Sequence, residues 1–148
     1  MEVLGGNGYI EEGPIARRFR EAPLNSMWEG SGNIMCLDVL RALSREPRVR
    51  EALGVLLAGG KGRDARYDRF VDDLLARLSD PGDGELHARH LTQKIALAVQ
   101  ASLLLAHGPD TSAQAFLASR LSLGAPASFG TLPGGVDLGA LIDRVLRF

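Results

Sequence analysis

From residue 67 to residue 78 the apolar positions Tyr67, Phe70, Val71, Leu74, Leu75 and Leu78 recur three and four apart, the spacing of one helix face. The intervening positions carry Asp68, Arg69, Asp72, Asp73 and Arg77, a face of mixed sign suited to solvent. A similar stripe, Ile34, Leu37, Leu40 and Leu43, predicts a helix to about residue 45, with Ser31 or Asn33 at its cap. Pro47 suits the first turn of another helix, ending near residue 58 before Gly59 and Gly60. Residues 85–107 begin polar and end apolar nearly all round, as expected of a central helix. Thr111 and Gln114 have capping-box spacing for a helix reaching about residue 123. Asp137 is placed to cap a last helix that turns Leu138, Leu141, Ile142, Val145 and Leu146 inward. The stretch Asp80-Pro81-Gly82-Asp83-Gly84 has turn chemistry, residues 124–136 read as a Gly/Pro-rich loop, and residues 11–14 as loop. Arg17, Arg18 and Arg20 form a short basic cluster. The pattern predicts an all-α helical bundle of five to six helices.

Composition supports that class. Aromatic residues make up 5% of the chain, Ala, Leu and Arg abound, and no alternating β-branched run occurs. With 148 residues and 45% hydrophobic content there is material for a buried core. A net charge of -1 gives no bulk attraction to polyanions, so nucleic acid would need a local patch. The single Cys36 excludes an internal disulfide and reads as a small buried hydrophobe. The longest apolar stretch, residues 95–106, falls short of the roughly 20 needed to span a bilayer. No signal-type start is visible, and a cytoplasmic location is the expectation. His87 and His90 lack further ligands nearby and read as surface histidines, so no metal site is expected.

The chemistry concentrates in the first forty residues, around Gly5-Gly6-Asn7-Gly8-Tyr9 and Trp28-Glu29-Gly30-Ser31-Gly32-Asn33. Glu29 stands between a large aromatic and a small-residue turn that opens into a helix. Read from the residues alone, it is either a carboxylate beside an anion-binding helix terminus or a plain complement to the dipole of that helix. Further on, seven Lys or Arg lie between residues 41 and 66 against three acids. Such an excess is either a solvated face or a phosphate-contact surface.

Leu4-Gly5-Gly6-Asn7-Gly8-Tyr9, Arg20-Glu21-Ala22 and Trp28-Glu29-Gly30-Ser31-Gly32-Asn33-Ile34 resemble the C-terminal segment of flavin-dependent acyl-CoA dehydrogenases. In many members the second motif reads Tyr-Glu-Gly-Thr. The run from Arg20 to Arg41, and the late run from Phe129 to Asp137, are similar to the alkylation-response branch of that family. The resemblance implies that residues 1–46 end the C-terminal helical domain of the acyl-CoA dehydrogenase fold, with flavin-facing loops. Residues 47–148 would then be a helical extension of the alkylation-response type.

It further implies Glu29 as the catalytic base that removes the α proton of an acyl-CoA thioester, and FAD as the cofactor of the complete protein. Gly5, Gly6, Gly8, Ser31 and Asn33 would face the flavin, the first three at its adenine end. Ser31 keeps the hydroxyl of the usual Thr. Trp28, in place of Tyr, would narrow the acyl pocket and dry it, making Glu29 more basic. Homo-oligomers, tetramers by family, are implied. So is contact with double-stranded DNA, for which Arg41, Arg45, Arg48, Arg50, Lys61 and Arg63 are the candidates. Because the flavin-binding and barrel parts of the family would precede Met1, the sequence reads as a carboxyl fragment that is inactive alone. An inactive oligomerisation piece is the plainest alternative.

Overall fold

The structure, a computed structural model, describes residues 1–79, 82, 84–122, 128 and 130–146. Among these, seven α-helices and two 3₁₀ segments occur and no strand does, which makes the fold all-α. The helices are α1 (Pro14–Glu21), α2 (Gly32–Arg45), α3 (Pro47–Ala58), α4 (Ala65–Ser79), α5 (Ala88–His107), α6 (Asp110–Arg120) and α7 (Leu138–Leu146). The 3₁₀ segments are Glu2–Gly8 and Ala22–Ser26.

α5 is the centre, packed by α2, α3, α4 and α6. Its inward positions Ala98 and Ala101 are fully buried and small, which lets the neighbouring helices approach closely. Into that space α4 sends Tyr67, Val71 and Leu74, spaced four and three as the sequence pattern requires, and these meet Leu57 of α3 and Leu117 of α6. Two polar groups inside are satisfied: the Tyr67 hydroxyl donates to the Leu57 carbonyl at 2.7 Å and the Ser102 hydroxyl to the Leu56 carbonyl at 2.5 Å. α4 is closed at its start by Asp64, whose Oδ1 accepts the Arg66 backbone N–H at 2.8 Å.

Several expectations need correction. Residues 14–21, anticipated only as a loop edge and a basic cluster, form α1, with Pro14 at its first turn and Ala16 buried. Ile15, Ala16 and Phe19 do share one face of it, but eight residues give barely two turns in which a period can show. The Thr111/Gln114 capping box does not form: α6 starts at Asp110 with no side-chain cap bond, and Gln114 instead accepts a hydrogen bond from Arg66. Asp137 does cap α7, accepting the Ala140 N–H at 2.9 Å. Yet Leu138, Ile142, Val145 and Leu146 are exposed rather than inward, because α7 touches the bundle through α6 and covers little of it. Cys36 is half-buried. Most of the turn at residues 80–84, much of the loop at 124–136, Phe129 and the expected helix end at Leu123 lie outside the described residues.

Candidate functional site

The loop before α2 is built by short-range backbone bonds. The N–H groups of Met27 and Trp28 both donate to the Leu24 carbonyl, and that of Gly30 donates to the Met27 carbonyl at 3.2 Å. The chain then reverses at Gly30, whose φ of 132° is a conformation that side-chain-bearing residues rarely adopt. Ser31 follows in extended conformation as the N-cap of α2. Its carbonyl accepts the first helical bond, from Met35 at 3.1 Å, while its hydroxyl makes no cap bond. The first-turn N–H groups of α2 are therefore not satisfied by a capping side chain, the condition under which a helix start takes an anion.

Glu29 is exposed at the mouth of this helix, with no ion pair and no side-chain hydrogen bond among the described residues. Trp28 is itself 66% exposed, and among the described residues it leaves the carboxylate open to solvent.

The other glycine cluster lies in the first 3₁₀ segment. Gly5 takes a φ of 54°, and Gly8 is buried so closely that a Cβ would stand 2.7 Å from the Met1 carbonyl oxygen. Two of these glycines thus answer a local demand of the turn. Gly6 faces open space. Nearby, Arg20 of α1 pairs with Glu11 through two hydrogen bonds, which hold the Glu11 carboxyl below its usual range.

One residue escaped sequence reasoning. Arg89, in the first turn of α5, donates to the Asn33 side-chain oxygen and lies against Gly32. It brings a guanidinium to the α2 start from 56 positions away. No local pattern signals such a contact.

Comparison with known proteins bears on the same segment. The family model described as the acyl-CoA dehydrogenase C-terminal domain matches residues 1–44, which contain both glycine clusters and Glu29. AidB of Escherichia coli (strain K12), which carries an acyl-CoA dehydrogenase name, is 44% identical over 116 residues, 78% of this chain and 21% of its own length. The chain carries a C-terminal segment of the acyl-CoA dehydrogenase family. Acyl-CoA dehydrogenase family member 11 of Caenorhabditis elegans is 30% identical over 131 residues, 76% of this chain and 21% of its own. Cyclohexane-1-carbonyl-CoA dehydrogenase of Geobacter metallireducens is 37% identical over 46 residues, 31% of this chain and 12% of its own. The chain spans about a fifth of the length of the first two relatives. Their likeness runs well past the 44 residues of the acyl-CoA dehydrogenase family match and so includes much of the later bundle.

The basic residues of this acyl-CoA dehydrogenase-family chain do not form one free surface. Arg41 pairs with Asp38 and Lys61 with Asp72. Arg50 donates to the Leu43 carbonyl at 2.9 Å and Arg63 to the Leu105 carbonyl at 2.8 Å. Only Arg45 and Arg48 of the six have no recorded side-chain partner among the described residues. His87 and His90 are exposed, and the described residues contain no group of three His, Cys, Asp or Glu able to hold a metal. No helix among them is long and apolar enough to cross a membrane.

Proposed function

We propose that this chain is the carboxyl part of a flavin-dependent oxidoreductase acting on the CH–CH group of acyl-CoA thioesters. The observation that carries the reading is Glu29: an exposed carboxylate without a partner, set immediately before an uncapped helix start, inside the segment that matches the family. An α proton of a thioester is weakly acidic, so its removal needs a base free to approach the carbon and poorly solvated once there. Glu29 is free to approach. The drying would come from polypeptide and substrate packed over Trp28, and would raise the basicity of the carboxylate.

The residues present suit FAD. The Ser31 hydroxyl and the first-turn N–H groups of α2 are donors that no capping side chain occupies, and the Arg89 guanidinium beside Gly32 adds positive charge at the same place. When bound, the flavin supplies the hydride acceptor. Residues 1–46 carry this chemistry in the proposal, and residues 47–148 support them as a helical extension. Val3, Tyr9, Phe19, Met27 and Trp28 are exposed apolar side chains in that first part, which suits a surface covered by further polypeptide in a homo-oligomer.

The test is a graft of residues 1–44 in place of the equivalent segment of the Geobacter cyclohexane-1-carbonyl-CoA dehydrogenase. Reduction of bound flavin by substrate, followed as loss of its visible absorbance, is expected in the graft. With Glu29→Gln the rate should fall by a factor of about 100 or more while flavin stays bound. An unchanged rate in the Gln variant would remove Glu29 from the chemistry.

A further inference from the structure

A cavity of about 690 Å³ opens between α2, α3, α4 and the start of α5, away from the Glu29 loop. Its size falls in the range of about 300–1,000 Å³ usual for small-molecule sites. Seven leucines line it, among them Leu37, Leu40, Leu53 and Leu78, giving an apolar floor. Among the described residues the charged groups on its wall are Arg41, Arg45, Arg50 and Glu85, a positive excess of one once the Arg41–Asp38 pair is set aside.

The arginines sit at one end. Arg41 and Arg45 are one turn apart near the end of α2, and Arg50 is in the first turn and a half of α3. Arg41 is occupied by Asp38, whereas neither Arg45 nor Arg50 pairs with a carboxylate among the described residues. The bond from Arg50 to the Leu43 carbonyl uses one guanidinium N–H and fixes the group at the rim with others to spare.

An apolar floor under a cationic rim selects one class of molecule, an amphiphilic anion whose tail displaces water from the leucines and whose head meets guanidinium. We propose that this cavity binds a single-chain fatty carboxylate, head at Arg45 and Arg50 and tail along the floor. The site is separate from Glu29, and the proposal holds whether or not the chain takes part in acyl-CoA oxidation.

Calorimetric titration of the chain with dodecanoate, below its micelle concentration, is the test. Saturable one-to-one binding is expected, with decanoate roughly tenfold weaker for its two missing methylenes. Dodecanol and dodecyltrimethylammonium should each be weaker than dodecanoate by roughly tenfold or more. Arg45→Ala with Arg50→Ala should lose a similar factor. Leu75→Trp, at a partly exposed position on the cavity wall, should crowd the tail and weaken binding several-fold with helical circular dichroism intact. Equal binding of the neutral or cationic analogue, an unchanged affinity in the double arginine variant or in Leu75→Trp, or a dimer of the chain that excludes dodecanoate would each overturn the proposal.

Discussion

Arg89 of α5 donates to the Oδ1 of Asn33 in the first turn of α2, and its Nη2 stands 3.0 Å from where a Cβ on Gly32 would be. A guanidinium at a helix start works against the helix dipole, so the Asn33 bond has to offset that cost. The contact adds to the packing of α2 along α5 and α3 in tying the helix behind Glu29 to the long central helix.

Because both side chains are exposed, the tie is modest. Arg89→Ala and Asn33→Ala, singly and together in urea unfolding, should give a coupling energy of about 0.5–1 kcal/mol. Additive effects would show that the two groups do not meet in solution. Gly32→Ala should cost little, since the crowded atom is the tip of a flexible side chain that can swing away.

Gly60 is the opposite case. A Cβ there would lie 2.8 Å and 2.9 Å from two ring carbons of Tyr67 and 3.1 Å from the Ser102 Cα. The Tyr67 ring is fully buried and held by its hydroxyl bond to Leu57, so it cannot yield. Gly60→Ala should destabilise by about 1–3 kcal/mol. Gly54, in the exposed interior of α3 with no atom within 4 Å of its Cβ position, should respond with the other sign. Ala there favours the helix by about 0.5–1 kcal/mol. Paired thermal melts of the two variants decide the matter, and equal effects would contradict the packing around Tyr67.

The contrast between α4 and the chain ends explains what the sequence could disclose. α4 has one neighbour-facing stripe and one wet face, so its period survives in the order of residues and its buried positions follow directly. α3 was legible for another reason, Pro47 at one end and Gly59 at the other. A proline, Pro14, also opens α1, but its stripe of Ile15, Ala16 and Phe19 covers barely two turns. Glu29 was visible as a motif. Its lack of an ion pair, the exposure of Trp28 and the reach of Arg89 depend on tertiary placement, which residue order does not encode locally. α7 misleads for a related reason: its apolar stripe is real, but among the described residues no surface buries it.

Stability should fall at low pH through Asp64. Its carboxylate accepts two side-chain hydrogen bonds from Arg66, at 3.0 Å and 2.7 Å, and the backbone N–H of the same residue. These bonds lower its pKa to about 2 from an ordinary 3.8. A depressed folded-state pKa stabilises fully above the unfolded value and loses that contribution as pH drops from about 4 toward 2. The contribution is at most about 2 kcal/mol. Urea midpoints across that window should fall in the wild type and fall less in Asp64→Asn. Some slope will remain, because hydrogen bonds from Lys94 and Arg77 also lower the Asp73 carboxyl. A slope unchanged by the substitution would deny Asp64 this role.

The exposed stripe of α7 separates a packing role from an association role. Val145 and Leu146 are 71% and 74% exposed, and the helix meets the rest of the chain only through α6 among the stronger contacts. Replacing exposed apolar side chains removes no core contact, so Val145→Ser with Leu146→Ser should leave the unfolding free energy within about 0.5 kcal/mol per site. The same change shrinks an apolar patch that favours association between copies or with other polypeptide. Sedimentation velocity over a range of concentrations should therefore show weaker self-association in the double variant at unchanged stability. A loss of several kcal/mol would mean instead that α7 is packed into the bundle in solution, as its sequence pattern alone had suggested.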